Sequence, residues 1–150
     1  MTTIEIVADS RKWKAHIDDG PAARDFLAQL PLTLTLKDYG GSERIADLPR
    51  PLTRKGAPDA VTPRAGNVAF YASWGNLAIF YRDGHQSPGL SLLGRPDGDP
   101  MEFAGADPLS VTIRQAERRI EHRLPYYDVA RWSRASSMNA RKADGVLRLR

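Results

Sequence analysis

The chain contains no cysteine. Disulfide staples, thiolate nucleophiles and cysteine metal ligands are therefore excluded. A chain of this kind suits a reducing compartment. No apolar run approaches the ~18 residues that a membrane span requires. The opening MTTIEIVADSRKWK has no basic start followed by an apolar stretch, and is not expected to be a secretory signal. These absences point to a soluble, cytoplasmic protein with no membrane partner. Internal repeats and low-complexity tracts are also missing, which argues against a solenoid or a linker-rich array.

Motifs that carry chemistry are equally scarce. There is no GxSxG elbow, no GxGxxG and no GK[ST], so the PGLSLLGRPDG stretch is not a phosphate loop. Its Gly89 and Gly94 are expected to permit bends at the corners of a barrel. Asp97 and Asp99 flank Gly98 like a fragment of a calcium loop, but the remaining ligands are absent and a turn is expected. His16, His85 and His122 lie far apart with no HxH or HExxH spacing. Neither a metal nor a cofactor is expected.

A chain of 150 residues is one domain by length. It can bury roughly 68–70% of its unfolded surface, enough for a full core. The net charge of +4 is unevenly spread. Thirteen Lys and Arg against fourteen Asp and Glu leave residues 1–116 at −1, whereas nine against four put 117–150 at +5. This division marks a near-neutral domain, 1–116, with a basic extension, 117–150.

Hydrophobic patterning gives the elements. Thr3 to Ala8 and Trp13 to Ile17 read as strands joined by a loop at Asp9–Lys12, the second with apolar residues on odd positions. Leu32, Leu34 and Leu36 alternate with Thr33, Thr35 and Lys37, the clearest strand signal of the chain. Between them Ala23, Phe26, Leu27 and Leu30 follow i, i+3, i+4, i+7, one face of a helix. Pro21 suits its first position and Pro31 its end. Residues 40–66 lose periodicity around four prolines and are expected to be a long loop, either functional or a surface excursion over a barrel end.

Strands are then expected at Asn67–Ala72, Asn76–Arg82, Leu90–Leu93, Met101–Ala104 and Ser110–Arg114. In the second of these, Leu77, Ile79 and Tyr81 face one way and Ala78 and Phe80 the other. Both faces are apolar, so one is core and the other must be covered, the helix being a candidate cover. The sum is a mainly β fold, a closed antiparallel β-barrel of about eight strands with one capping helix.

The stretch YASWGNLAIFYRD suggests a binding wall. Tyr71, Trp74, Phe80 and Tyr81 can line a groove for a small molecule or short peptide, with Asn76 and Arg82 as its polar part. The plainer reading makes the strand aromatics core, which leaves Trp74, placed at a turn, as the residue most in need of a reason. The basic extension has Ile113, Ala116, Ile120 and Leu124 at helical spacing, then Tyr126, Tyr127 and Trp132 among arginines. Such a mixture can stack on bases and bind phosphates. A partly helical segment packed on the domain explains it equally, and with no recognised motif present nucleic acid is not the expected partner.

PAARDFLAQLPLTLTLKDYGGSERIADLPRPL, GNVAFYASWGNLAIFYRD and PGLSLLGRPDG together resemble the bacterial cyclophilin-like family, over roughly residues 3–114. The resemblance implies an eight-stranded antiparallel barrel and, for the family as a whole, no settled activity. Members commonly carry Asn before the helix proline. Here Gly20 stands there, and Asp19 is expected to reach in as a cap. True cyclophilins rotate X–Pro bonds against a barrier of ~18–20 kcal/mol. They do so by aiming an arginine at the prolyl nitrogen, a form of electrostatic stabilisation. The resemblance makes Arg44, within Ser42–Asp47, the one candidate catalytic residue, although the glutamine-glycine continuation is missing. The plainer reading of Arg44 is a solvated loop residue. Three functions are thus open: a ligand-binding barrel, a prolyl isomerase through Arg44, and an interaction module using the basic tail.

Overall fold

The computed structural model describes residues 1–116; of the expected helical stripe Ile113 belongs to a strand instead, and Ile120, Leu124 and the partner surface of the basic extension lie outside the described residues. Among the described residues ten strands form in the order β1 (Thr2–Val7), β2 (Lys12–Ile17), β3 (Leu32–Tyr39), β4 (Glu43–Asp47), β5 (Ala60–Val61), β6 (Val68–Tyr71), β7 (Asn76–Phe80), β8 (Ser87–Pro88), β9 (Leu90–Pro96) and β10 (Leu109–Gln115). Eight of them close a barrel in the cyclic order β1-β10-β3-β4-β7-β6-β9-β2. Every pairing is antiparallel. Closure leaves no barrel edge open to another chain. β5 and β8 pair separately as a short ribbon.

The one α-helix among the described residues, α1, runs from Pro21 to Leu27 and sinks Ala23 and Phe26 into the core. It stops three residues short of the periodicity. Residues 28–30 continue as tight turns, in which the Gln29 and Leu30 amides donate to the carbonyls of Phe26 and Leu27. Asp19 does not cap it: Gly20 is the N-cap and no side chain bonds to the helix start. The Asp19 carboxylate instead accepts from the N-terminal ammonium at 2.8 Å.

The strand count of eight is reached by a different set from the one expected. Met101–Ala104 is not a strand. Pro100–Phe103 forms a 3-10 helix, because Pro100 pre-sets the first position and the Asp99 carboxylate accepts from the Met101 amide at 2.9 Å. Phe103 is thereby driven into the core beside Trp13, ring centroids 4.6 Å apart, and the Trp13 indole N–H donates to Glu102 at 2.9 Å. The missing strand is β4, inside the segment expected to be a long loop. Asp97–Gly98–Asp99 is a turn, Gly98 holding φ at 81°.

Side chains alternate across the barrel wall as period two demands. Leu77, Ile79 and Tyr81 enter the main core with Ile4, Ile17, Leu36, Phe70 and Ile113. Ala78 and Phe80 lie on the opposite face in a second cluster with Ala69 and Leu90. The cover over that outer face is not the helix. Val61 of the β5–β8 ribbon, with Ile45 and Tyr71, packs against it.

Candidate functional site

The outer face of β3, β4, β7 and β6 carries the site. Register sets Glu43 opposite Phe80, Ile45 opposite Ala78, and Asn76 opposite Tyr71. Tyr39 pairs with Glu43 across the β3–β4 turn. The turn Ala72–Gly75 then lifts Trp74 over the sheet, with 53% of its surface exposed. The result is a cavity of about 410 Å³ lined by Tyr39, Glu43, Tyr71, Trp74, Asn76 and Phe80, among others.

Its aromatic walls are set at angles. The Tyr39 and Tyr71 centroids lie 5.2 and 5.5 Å from that of Trp74, with interplanar angles of 86° and 70°. Edge-to-face rings of this kind attract one another through their quadrupoles. They make corners rather than a filled stack. At the floor, Asn76 is 3% exposed, and its Oδ1 has no hydrogen-bond partner among the described residues. A buried amide oxygen left unpaired costs about 1–3 kcal/mol, so it stands out in a folded wall.

Glu43 supplies charge. Burial, then the negative charge of Asp38, pushes its carboxyl up to about 7. Asp83 and His85 also line the cavity, and none of the lining residues is a lysine or arginine. The sign of the pH effect follows. Below 4.5 Glu43 is protonated both folded and unfolded, and its contribution to stability is fully present. As pH rises towards 7 the unfolded chain releases the proton while the folded one holds it, so stability falls. Glu43→Gln is therefore expected to raise stability at pH 8 by about 1–2 kcal/mol, after discounting for solvent screening, with almost no gain at pH 4. Urea unfolding of both proteins at the two pH values checks this. An equal gain at both would remove proton binding as the cause.

Of the six expected ligand-binding residues, Tyr71, Trp74, Asn76 and Phe80 come together here. Tyr81 does not line the cavity. Its ring is in the core, and its hydroxyl donates to the Asp38 carboxylate. Burial and that hydrogen bond hold the phenol above its usual range. Arg82 also lies off the cavity, its guanidinium 6.0 Å from the centroid of the Tyr81 ring. Glu43 is not legible as a site residue because the pattern of 40–66 does not read as a strand, and Tyr39 lies at the end of β3, beyond the Leu32–Lys37 alternation.

Arg44 is not a solvated loop arginine. It is 5% exposed and sits one position from Glu43 on the same strand, hence on the opposite face. Its guanidinium donates to the carbonyls of Phe103 at 2.7 Å, Asp107 at 2.6 Å and Leu36 at 3.1 Å. Tyr71, Trp74, Asn76 and Phe80 line the outer cavity instead. Among the described residues, no group of three or more His, Asp and Glu side chains is placed to hold a metal, and no helix is long and apolar enough to cross a membrane.

The sequence matches the cyclophilin-like family over residues 6–114. Among solved structures, the hypothetical protein AF2241 from Archaeoglobus fulgidus is similar, with a TM-score of 0.55 and 15% identity over 77% of this chain and 95% of that one. At that identity the likeness is one of fold. No curated protein matches the chain.

Proposed function

The chain belongs to the cyclophilin-like family, and since a fold by itself does not fix an activity, we propose from the site that it binds a small molecule or short peptide in the outer cavity at Trp74. The carrying observation is Asn76, buried under aromatic walls with an acceptor that none of the described residues uses. Ligand pockets commonly have this make-up, apolar and aromatic walls with a few placed polar groups, and volumes upward of ~300 Å³. The exposed indole fits as the movable wall of such a pocket. Prolyl isomerisation through Arg44 gains no comparable support, because that guanidinium is engaged with three backbone carbonyls.

The test is tryptophan emission during titration with single amino acid amides and N-acetylated dipeptide amides. Binding is expected to shift the emission, to lose the shift in Trp74→Phe, and to weaken about tenfold in Asn76→Leu, the scale of one buried hydrogen bond. Binding that is indifferent to both substitutions would move the site elsewhere.

A further inference from the structure

The charge and shape of the cavity narrow the ligand, on the reading that the cavity is a binding site. We propose that it takes an organic ammonium ion, a protonated amine that carries at least one N–H and an apolar substituent. Three independent features converge on that class. Tyr39, Tyr71 and Trp74 form an angled aromatic box. Ring faces attract a cation, and attract it more when water is excluded. Glu43 and Asp83 supply negative charge and no lysine or arginine lines the space; Asp83 pairs with Arg64 at 4.0 Å, which leaves Glu43 as the lining carboxylate outside any ion pair among the described residues. Among the described residues Asn76 Oδ1 is an acceptor without a donor, and an ammonium N–H is a donor without an acceptor.

The alternatives fit less well. An anion would meet two carboxylates and an amide oxygen. A neutral hydrocarbon would leave Asn76 unpaired and Glu43 desolvated. An ammonium ion answers all three groups at once, and its charge returns Glu43 to the ionised form that burial disfavours. Cation binding must then release a proton wherever Glu43 is still protonated. The charged and titratable groups around Glu43 are Asp38 beneath it on β3 and Asp83 and His85 on the loop after β7.

Calorimetry on the full chain tests the class with matched probes. Butylammonium and N-acetyl-lysine methylamide carry the cation as a free amine and as a peptide side chain. Butanol and N-acetyl-norleucine methylamide are their uncharged counterparts, and tetramethylammonium keeps the charge without an N–H. At least one ammonium probe is expected to bind about tenfold more tightly than its uncharged counterpart, the scale of a desolvated cation–π contact. Whichever of the two binds identifies the source. The preference is expected to vanish in Glu43→Gln, to weaken in Trp74→Leu at the exposed rim, and to grow as pH rises from 6 to 8. Tetramethylammonium is expected to bind less tightly than the preferred ammonium probe.

Equal binding of charged and uncharged probes, both sensitive to Trp74→Leu, would overturn the ammonium assignment and leave the cavity as the site. Binding that ignores both substitutions, or no binding by any probe, would overturn the ammonium assignment too, and in the first case the cavity as well.

Discussion

Arg44→Met is expected to destabilise the barrel by about 3–5 kcal/mol, because it leaves backbone acceptors without their charged donor. Arginine stays charged at any working pH and offers five N–H groups in a rigid fork. Here Nε and Nη1 of that fork donate to three carbonyls from three separate segments: Leu36 on β3, Phe103 in the 3-10 helix and Asp107 before β10. None of the ion pairs among the described residues involves it. Backbone dipoles, rather than a carboxylate, hold the charge. Gly105 makes the approach possible, since a Cβ there would stand 3.0 Å from a terminal guanidinium nitrogen.

Methionine keeps most of the aliphatic volume, so the loss is mainly the three orphaned acceptors, at ~1–3 kcal/mol each. The sum falls below three full penalties because Asp107 is exposed and its carbonyl can turn to water. Arg44→Lys retains charge but presents a point rather than a fork, and is expected to recover less than half of the loss. Urea unfolding of the three proteins measures this. A loss below ~1 kcal/mol for Met would show that the carbonyls find other donors, and Arg44 would again be free for chemistry.

The same residue shows why part of the fold was hard to read. In β4 the polarity is inverted: Arg44 points into the barrel, while Ile45 points out under the β5–β8 ribbon. A period-two pattern is recognised by apolar residues facing one way, and this strand offers the opposite, between paired glycines and Pro49. Its absence from the expected strands hid Glu43 as a site residue. Met101–Phe103 failed in the reverse sense. Its apolar content resembled a strand, but Asp99 and Pro100 are a cap and a first-turn residue, and local capping chemistry decided the outcome. Where pattern and covering agree, as in the two faces of β7 or the Ala23–Phe26 face of α1, sequence and structure coincide. Tyr81 was drawn to the groove by its aromatic character. Parity with Leu77 and Ile79 already placed it inside, and its hydroxyl finds its partner there in Asp38.

Barrel closure depends most sharply on Gly94, and Gly94→Ala is expected to cost at or above the ~3 kcal/mol upper end of ordinary overpacking. β9 lies between β6 and β2, and its ladder with β2 spans only Ala15 to Ile17 in register. Gly94 stands opposite Ile17 on one side and Val68 on the other, where the β6–β9 register shifts. A Cβ added there would lie 2.0 Å from the His16 carbonyl oxygen and 2.9 Å from the Ile17 Cα. Both are backbone atoms, so no side chain can swing aside. The strands must part, and the hydrogen bond from the Asp18 amide to the Leu93 carbonyl, 2.8 Å at present, is next in line to break. Glycine in a strand interior is otherwise unfavourable, and close backbone approach is the physical reason to keep it. Gly20→Ala is the matched control, because nothing lies within 4 Å of a Cβ at that position. Urea unfolding, with amide exchange at β2 and β9, separates the cases. Faster exchange confined to those two strands is expected in Gly94→Ala. Unchanged exchange with a loss under ~1 kcal/mol would mean that the β2–β9 spacing is not what closes the cylinder.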